Sequence, residues 1–468
     1  MAEDSNNKKP SSKNAAQAGI SRIKSSIFER TLSVAKIGLH TGFKYAAQKT
    51  FGQDKANFYS EQAQYITNEL GQLKGSLMKA GQMLSMYGEY FFPTEANAIL
   101  KQLQSDSPAL HWNAMKPHLE SLMSAELLSQ LEIESTALGT ASMGQVHKAI
   151  IKATGEAIVL KIQYPGVENA IDSDITSLKR LLQFSKIIPS NIDLNPVMDE
   201  IREMLLQELD YVLEAELTEK YEKLVETIPD CRYKYKVPKV YRRFSSKKIL
   251  ATEYIPGLKA DHQLVQNLSQ ARRNRLSENF LELYQYEIFT WNFMQTDPHL
   301  GNYKIQIDPQ GNDRLALIDF GASKQFPIPF IEAYRKMIKG AIVGDKELFY
   351  KGAQDLGFIV DSDKPEYIKA FTDFCFQTVE PFFEPNDPRN LDGKVNHEGR
   401  YHWKQTDLPS RVMKNAIQFK NFDLRSPPKD ILFLDRKTGG VFIFLSVLQA
   451  DINGRKIMNP FMKQIKSL

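Results

Sequence analysis

The sequence predicts an α+β protein of two lobes, with a strand-rich middle segment, a helical segment after it and a further helical stretch in front. Three observations carry this expectation. The chain has 468 residues, more than one ordinary hydrophobic core organises. Apolar runs bounded by turn residues cluster between about residues 133 and 255. On either side, apolar residues recur at helical spacing. The expected parts are a basic leader with an amphipathic helix (1–55), a helical extension (56–132), a sheet with one helix (133–255) and a helical lobe (256–468).

Composition narrows the function. Hydrophobic residues make up 42% and charged residues 25%, the balance of a water-facing globular protein. A formal net charge of +4 is too small to point to nucleic acid. Cys231 and Cys375 offer neither a disulfide framework nor metal-ligand spacing, as expected in a reducing compartment. No run reaches the roughly 18 apolar residues needed to span a bilayer; the longest, residues 441–448, has the length of a core segment. The first ten residues are polar and include Glu3 and Asp4, unlike a secretory leader. The expectation is a protein that is not secreted, cytoplasmic or peripheral on the inner face of a membrane.

Taken in order, residues 1–16 are rich in Ser, Asn and Lys and are expected to be disordered. From about Ile20 to Phe51 a helix is expected, apolar at Ile20, Ile23, Ile27, Val34 and Ile37, basic at Arg22, Lys24, Arg30, Lys36 and Lys44, with Glu29 its one acid. Such a helix suits an anionic membrane surface, or packs on the protein with its basic face in water. A second helix is expected over about residues 57–90. In it Lys79 and Gln82 share a face, beside glycines that each cost about 1 kcal/mol of helix stability. A helical pair follows over residues 112–131. Residues 138–149 and 157–162 then form a hairpin around Thr154-Gly155, with Lys161 on its second strand. The small-residue turn from Gly139 to Gly144 lets backbone N–H groups approach phosphates. One helix over residues 196–227 buries Val197, Ile201, Met204, Leu205, Val212 and Leu213 and carries Glu208, Asp210 and Glu214. Strands at 237–240 and 248–255, a helix at 276–291 and a hairpin of 304–308 with 314–318 complete the ordered elements before a helical remainder.

The chemistry lies in Asp297-Pro298-His299-Leu300-Gly301-Asn302 and Asp319-Phe320-Gly321. Phosphoryl transfer from ATP needs one carboxylate to orient the acceptor, with an amide oxygen and a second carboxylate to hold Mg2+. The spacing resembles the catalytic loop and metal-binding triplet of protein kinases. In that arrangement Asp297 orients water or a hydroxyl, and Asn302 and Asp319 bind Mg2+. Lys161 holds the α- and β-phosphates of ATP or ADP and is fixed by a helix acid, for which Glu208 is best placed. Gly139, Ala141, Ser142, Met143, Gly144 and Val146 cover the phosphates, and the backbone of Glu253 to Ile255 reads the adenine edge.

The whole set resembles the UbiB/AarF family of atypical kinases over about residues 71–448. Lys79-Ala80-Gly81-Gln82 is similar to the family's Lys-x-Gly-Gln hallmark, Ala141-Ser142-Met143-Gly144-Gln145-Val146-His147 to its alanine-type nucleotide loop, Lys161-Ile162-Gln163-Tyr164-Pro165-Gly166-Val167 to its strand-lysine signature, and Glu208-Leu209-Asp210 with Glu214 to its helix acids. The resemblance implies a two-lobed protein-kinase-like fold with an added N-terminal helical extension over the active site. It implies a Mg-ATP-dependent kinase or ATPase supporting ubiquinone or lipid metabolism, with a quinone precursor or lipid as partner. Lys79 and Gln82 would gate the site by pairing with Asp210 or Glu214. A nucleotide-binding pseudokinase scaffold is the alternative. A Ser/Thr protein kinase is disfavoured because no Ala-Pro-Glu follows Gly321. Some relatives end in membrane-spanning helices; here membrane contact is expected to be peripheral.

Overall fold

The computed structural model describes residues 76, 79–81, 83–84, 109–141, 143–185, 195–416 and 429–462. The basic leader, most of the 57–90 stretch, Gln82 and Ser142 lie outside the described residues. The strands in chain order are β1 (Leu131–Ala141), β2 (Gly144–Ile151), β3 (Ala157–Gln163), β4 (Tyr235–Lys236), β5 (Ile249–Glu253), β6 (Phe293–Gln295), β7 (Tyr303–Gln306), β8 (Arg314–Leu317), β9 (Ser323–Gln325), β10 (Tyr401–His402) and β11 (Asp451–Ile452). The chain divides into two compact units, Met1–Val212 with Tyr241–Tyr254, and Leu213–Val240 with Ile255–Leu468.

The first unit is built on an antiparallel sheet of order β1-β2-β3-β5. Alternation along β3 buries Ile158, Leu160 and Ile162 completely and turns Lys161 to the other face, as the twofold repeat of a strand requires. Gly155, at φ 74°, closes the β2–β3 turn in the left-handed region that glycine adopts without strain. The helix expected over residues 196–227 is two helices, Asn195–Glu208 and Tyr211–Val225. The break has a tertiary cause. The Gln163 side-chain amide, at the end of β3, donates to the Leu209 carbonyl, and Asp210 N–H turns back to Gln207 O at 3.0 Å. The first helix buries Val197, Met198, Ile201 and Leu205, whereas Val212 is exposed.

In the second unit β4, β8 and β7 form one sheet, with β4 parallel to β8, and β6 pairs with β9. The strand expected at 237–240 is displaced to Tyr235–Lys236; Pro238 has no N–H to give a ladder. The helix expected from residue 276 starts earlier, at Gln270, where the Ser269 hydroxyl accepts from Arg272 N–H. It ends in a π-helical turn, Tyr286–Thr290, followed by Asn292 at φ 51°. That left-handed residue aims the chain into β6 and the stretch leading to Asp297. Leu213–Val240 belongs to this unit because Tyr221 packs among Trp291, Phe293 and Phe320, with ring centroids 5.7, 6.3 and 4.6 Å away.

Helices Ile328–Val343 and Lys346–Asp355 cross at glycine. A Cβ on Gly352 would lie 2.4 Å from Met337 N, and one on Gly340 would lie 2.4 Å from Phe349 N. Gly352→Ala is therefore expected to destabilise the fold by about 1–3 kcal/mol through overpacking, read as a lower urea midpoint. An unchanged midpoint would show that the crossing yields without cost.

Candidate active site

In the first unit Val146 and Lys161 are register partners on β2 and β3. The Lys161 ammonium lies 5.1 Å from the centre of the Tyr211 ring. Gly144 is needed for a close backbone approach: a Cβ there would stand 2.5 Å from Ile162 O and 3.0 Å from Tyr211 Oη. A Cβ on Gly139 would meet nothing within 4 Å among the described residues. The loop glycines thus do different work, Gly144 seating the turn on β3 and Gly139 leaving its outer face open. Met143 is buried, and its carbonyl accepts from Tyr164 N–H at 3.0 Å. Ala141 pairs with Gly144 across the turn. Glu253, half-buried, ends β5 opposite Ile158, and the unit boundary follows Tyr254, so Ile255 belongs to the second unit.

Glu208, the acid expected to fix Lys161, forms an ion pair with Lys79, Nζ to Oε2 at 2.8 Å. Lys79 is expected from the sequence to pair with Asp210 or Glu214, and Glu208 is a further acid in its reach. Asp210 lies in the exposed turn between the two helices. Ser76, on the same stretch as Lys79, donates from its buried hydroxyl to Asp174.

The second unit gathers the acidic residues. Asn302 Nδ2 donates to Asp297 O at 3.0 Å and to Asp297 Oδ2 at 3.2 Å. Its backbone carbonyl accepts from Ile318 N–H at 3.1 Å, the residue before Asp319. Asp319 Oδ1 accepts from Gly321 N–H at 3.1 Å. Glu214, buried to 4% exposure, brings Oε2 to 3.2 Å from the Cβ position of Gly321, and Asp319 Oδ1 lies 3.6 Å from that same point. Two carboxylates therefore converge at Gly321, and Asn302, its Nδ2 committed to Asp297, keeps Oδ1 to accept. Hard oxygen donors of this kind suit Mg2+. Among the described residues no group of three or more His, Cys, Asp and Glu side chains could hold a metal by itself.

Sequence reasoning missed four residues. Arg436 Nη2 donates to Asp297 Oδ1 at 2.7 Å. Its neighbour Lys437, 1% exposed, pairs with the fully buried Glu287 at 2.9 Å. Burial is the strongest single influence and would lower the Lys437 pKa, but Glu287 and Tyr303 together outweigh it and the value is raised. Tyr221 Oη donates to Glu287 at 2.7 Å, and burial, reinforced by that carboxylate, pushes the Tyr221 hydroxyl well up. The available signal was position: Lys437 falls on the stripe of Leu434, Val441 and Phe444, all completely buried.

Residues 102–352 match the ABC1 atypical kinase-like domain, over half of the chain. The chain belongs to the ABC1 atypical kinase-like family. Members similar to it include mitochondrial atypical kinase COQ8 of Saccharomyces cerevisiae, 29% identical over 397 residues, 84% of this chain and 74% of that protein. Mitochondrial atypical kinase coq-8 of Caenorhabditis elegans is 30% identical over 405 residues, 86% of this chain and 51% of that protein. The probable serine/threonine-protein kinase abkA of Dictyostelium discoideum is 28% identical over 415 residues, 87% and 71% of the two chains. A solved structure from Mycobacterium tuberculosis, Rv3197 in complex with erythromycin, shares the fold at a TM-score of 0.57 and 24% identity, over 87% of this chain and 97% of that one. The motif resemblance and the kinase-like α+β fold agree with these matches, and ABC1 membership makes the chain an atypical kinase with a nucleotide-binding fold. Among the described residues no helix is long and apolar enough to cross a membrane.

The β1–β2 hairpin carries a pH-sensitive support. Buried Gln145 accepts from Leu110 N–H at 2.8 Å and donates to Leu110 O at 3.2 Å. Its amide also lies 2.8 Å from His147 Nε2, while His147 Nδ1 lies 2.8 Å from Glu134 O. A carbonyl can only accept, so Nδ1 carries the proton and Nε2 accepts from Gln145. Burial lowers the His147 pKa from 6.5, with the Glu134 carbonyl opposing. The unfolded chain takes up the proton first, so His147 contributes stability in full above pH 6.5 and loses it as pH falls through the lower folded value. Between about pH 7.5 and about pH 5.5, wild type is expected to lose more urea stability than His147→Gln. Equal losses would contradict this.

Proposed function

We propose that the chain is a Mg-ATP-dependent atypical kinase or ATPase acting in ubiquinone or lipid metabolism. The observation that carries it is the contact of Asp297 with Asn302, and of Asn302 with the strand end that presents Asp319. Asp319 and Asn302 would hold Mg2+, with Glu214 beside them. With few protein oxygens to offer, this corner would share the ion with nucleotide phosphates, as Mg2+ sites commonly do. Bound there, the ion would neutralise charge on the transferring phosphoryl group.

Asp297 is engaged at both carboxylate oxygens, by Arg436 and Asn302. Such a carboxylate is held to orient an acceptor hydroxyl or water, which is what a loose phosphoryl-transfer transition state asks of it. Lys161, over Tyr211, would hold the α- and β-phosphates, and the open face at Gly139 would admit them. In this reading Lys79 gates the first unit through Glu208: while the pair stands, Glu208 is partly neutralised as an anchor for Lys161. The acceptor class, a quinone precursor or lipid, is what the UbiB resemblance implies. The basic leader supports peripheral contact with an anionic membrane, inside a cell or organelle.

Asp297→Asn is expected to cut ATP turnover by roughly a thousandfold or more while leaving the nucleotide dissociation constant within about threefold. Phosphate release and nucleotide binding, measured with and without anionic liposomes, check both. Wild-type turnover in the variant would contradict the assignment. Binding without turnover in the wild type, even with phenolic or lipid acceptors present, would favour a pseudokinase scaffold.

A further inference from the structure

Gln295, two residues before Asp297, has both backbone groups held by one buried ion pair. Its N–H donates to Glu287 Oε1 at 3.1 Å, and its carbonyl accepts from Lys437 Nζ at 2.9 Å. Lys437 spends its remaining donors on Glu287 and on Tyr303 Oη, 3.1 Å away. Tyr303 Oη in turn donates to Gln295 Oε1 at 3.0 Å, and burial pushes the Tyr303 hydroxyl up to about 12. An ammonium has three donors, and each finds an acceptor here.

This is more than a core ion pair needs. Edge strand β6 already has β9 as a ladder partner, yet its last residue is also gripped on both sides by charge. The pair is connected further. Tyr221 Oη bonds Glu287 and the Tyr221 ring packs on Phe320, so the residue that follows Asp319 rests on the same group. Lys437 follows Arg436, which holds the Asp297 carboxylate. Gly440, one turn on, lies so close to Pro298 that a Cβ would stand 2.1 Å from its Cβ. Helix Lys429–Val447 thus touches the catalytic stretch at residues 295, 297 and 298 in succession.

We propose that Lys437 and Glu287 are positioning residues for Asp297: together they fix the peptide of Gln295, and with it the direction in which the Asp297 carboxylate is presented. This rests on Asp297 serving in phosphoryl transfer, as proposed above. Neither residue touches the reacting atoms. A misplacement on the order of 1 Å costs about 100-fold in rate.

Three variants test it: Lys437→Met, Glu287→Gln, and both together. Lys437→Met leaves a buried carboxylate unpaired and lowers stability. The double variant removes both charges, so its urea midpoint recovers toward wild type, but Gln295 O remains without its donor. Two readouts are taken on the folded double variant. Turnover is expected to fall about 100-fold with the ATP KM within about threefold. Amide hydrogen exchange in the peptide covering residues 293–302 is expected to quicken, with the 328–343 helix unchanged. A double variant with wild-type turnover and wild-type exchange at 293–302 overturns the proposal and leaves the pair a core element only. If Asp297→Asn keeps wild-type turnover while exchange still quickens in the double variant, the catalytic reading fails and the positioning of Gln295 stands.

Discussion

A lysine ammonium and a glutamate carboxylate removed from water are each costly, and their attraction repays the cost only when every remaining lone pair and proton finds a partner. Lys437 comes close to that condition through Gln295, Tyr303 and Glu287, and Glu287 through Tyr221, Gln295 N–H and the ammonium itself, which also faces its Oε2. Breaking one side of such a pair costs about 3–5 kcal/mol, while replacing both with neutral groups of like volume is often close to neutral. Stability alone therefore gives no reason to bury them. Geometry does: one rigid ionic unit ties the end of the Gln270–Gln285 helix and its π turn, helix Tyr211–Val225 and helix Lys429–Val447 to the short strand that presents Asp297. Asp297, Asn302, Asp319 and Glu214 inherit their places from that framework.

The first unit uses a different device. Its sheet places Lys161 opposite Val146, and the side chain of Gln163, two residues further along the strand, ends the Asn195–Glu208 helix by capturing Leu209 O. The interruption decides where the acids fall. Glu208, on the last turn of one helix, meets Lys79; Glu214, on the first turn of the next, belongs to the other unit and stands by Gly321. Had the helix run unbroken, Glu208 and Glu214 would have lain on one rigid rod.

The grouping of Asp297, Asn302 and Asp319 was legible because it is local. The order Asp297, Asn302, Asp319 is set by a hairpin whose strands differ from expectation by a residue or two, and Lys161 is fixed by strand alternation. The break at Leu209 was not legible, since it depends on an amide 46 residues away. Nor was the start of the Gln270–Gln285 helix, which turns on one serine cap in a polar stretch. Lys437 and Glu287 are 150 residues apart, and each reads locally as a helix-surface charge. Only their place on apolar stripes marks them as buried, and no local pattern says which charge answers which. Arg436 was hidden for the same reason: Asp297 lies 139 residues before it.

The central claim is that the corner formed by Asp297, Asn302 and Asp319 receives a divalent ion together with a nucleotide. Mn2+ in place of Mg2+ makes this visible by electron paramagnetic resonance in the presence of ADP. Wild type is expected to bind Mn2+ only with nucleotide present, and Asp319→Asn to lose that nucleotide-dependent signal while remaining folded. Equal Mn2+ binding by the two proteins would contradict the account.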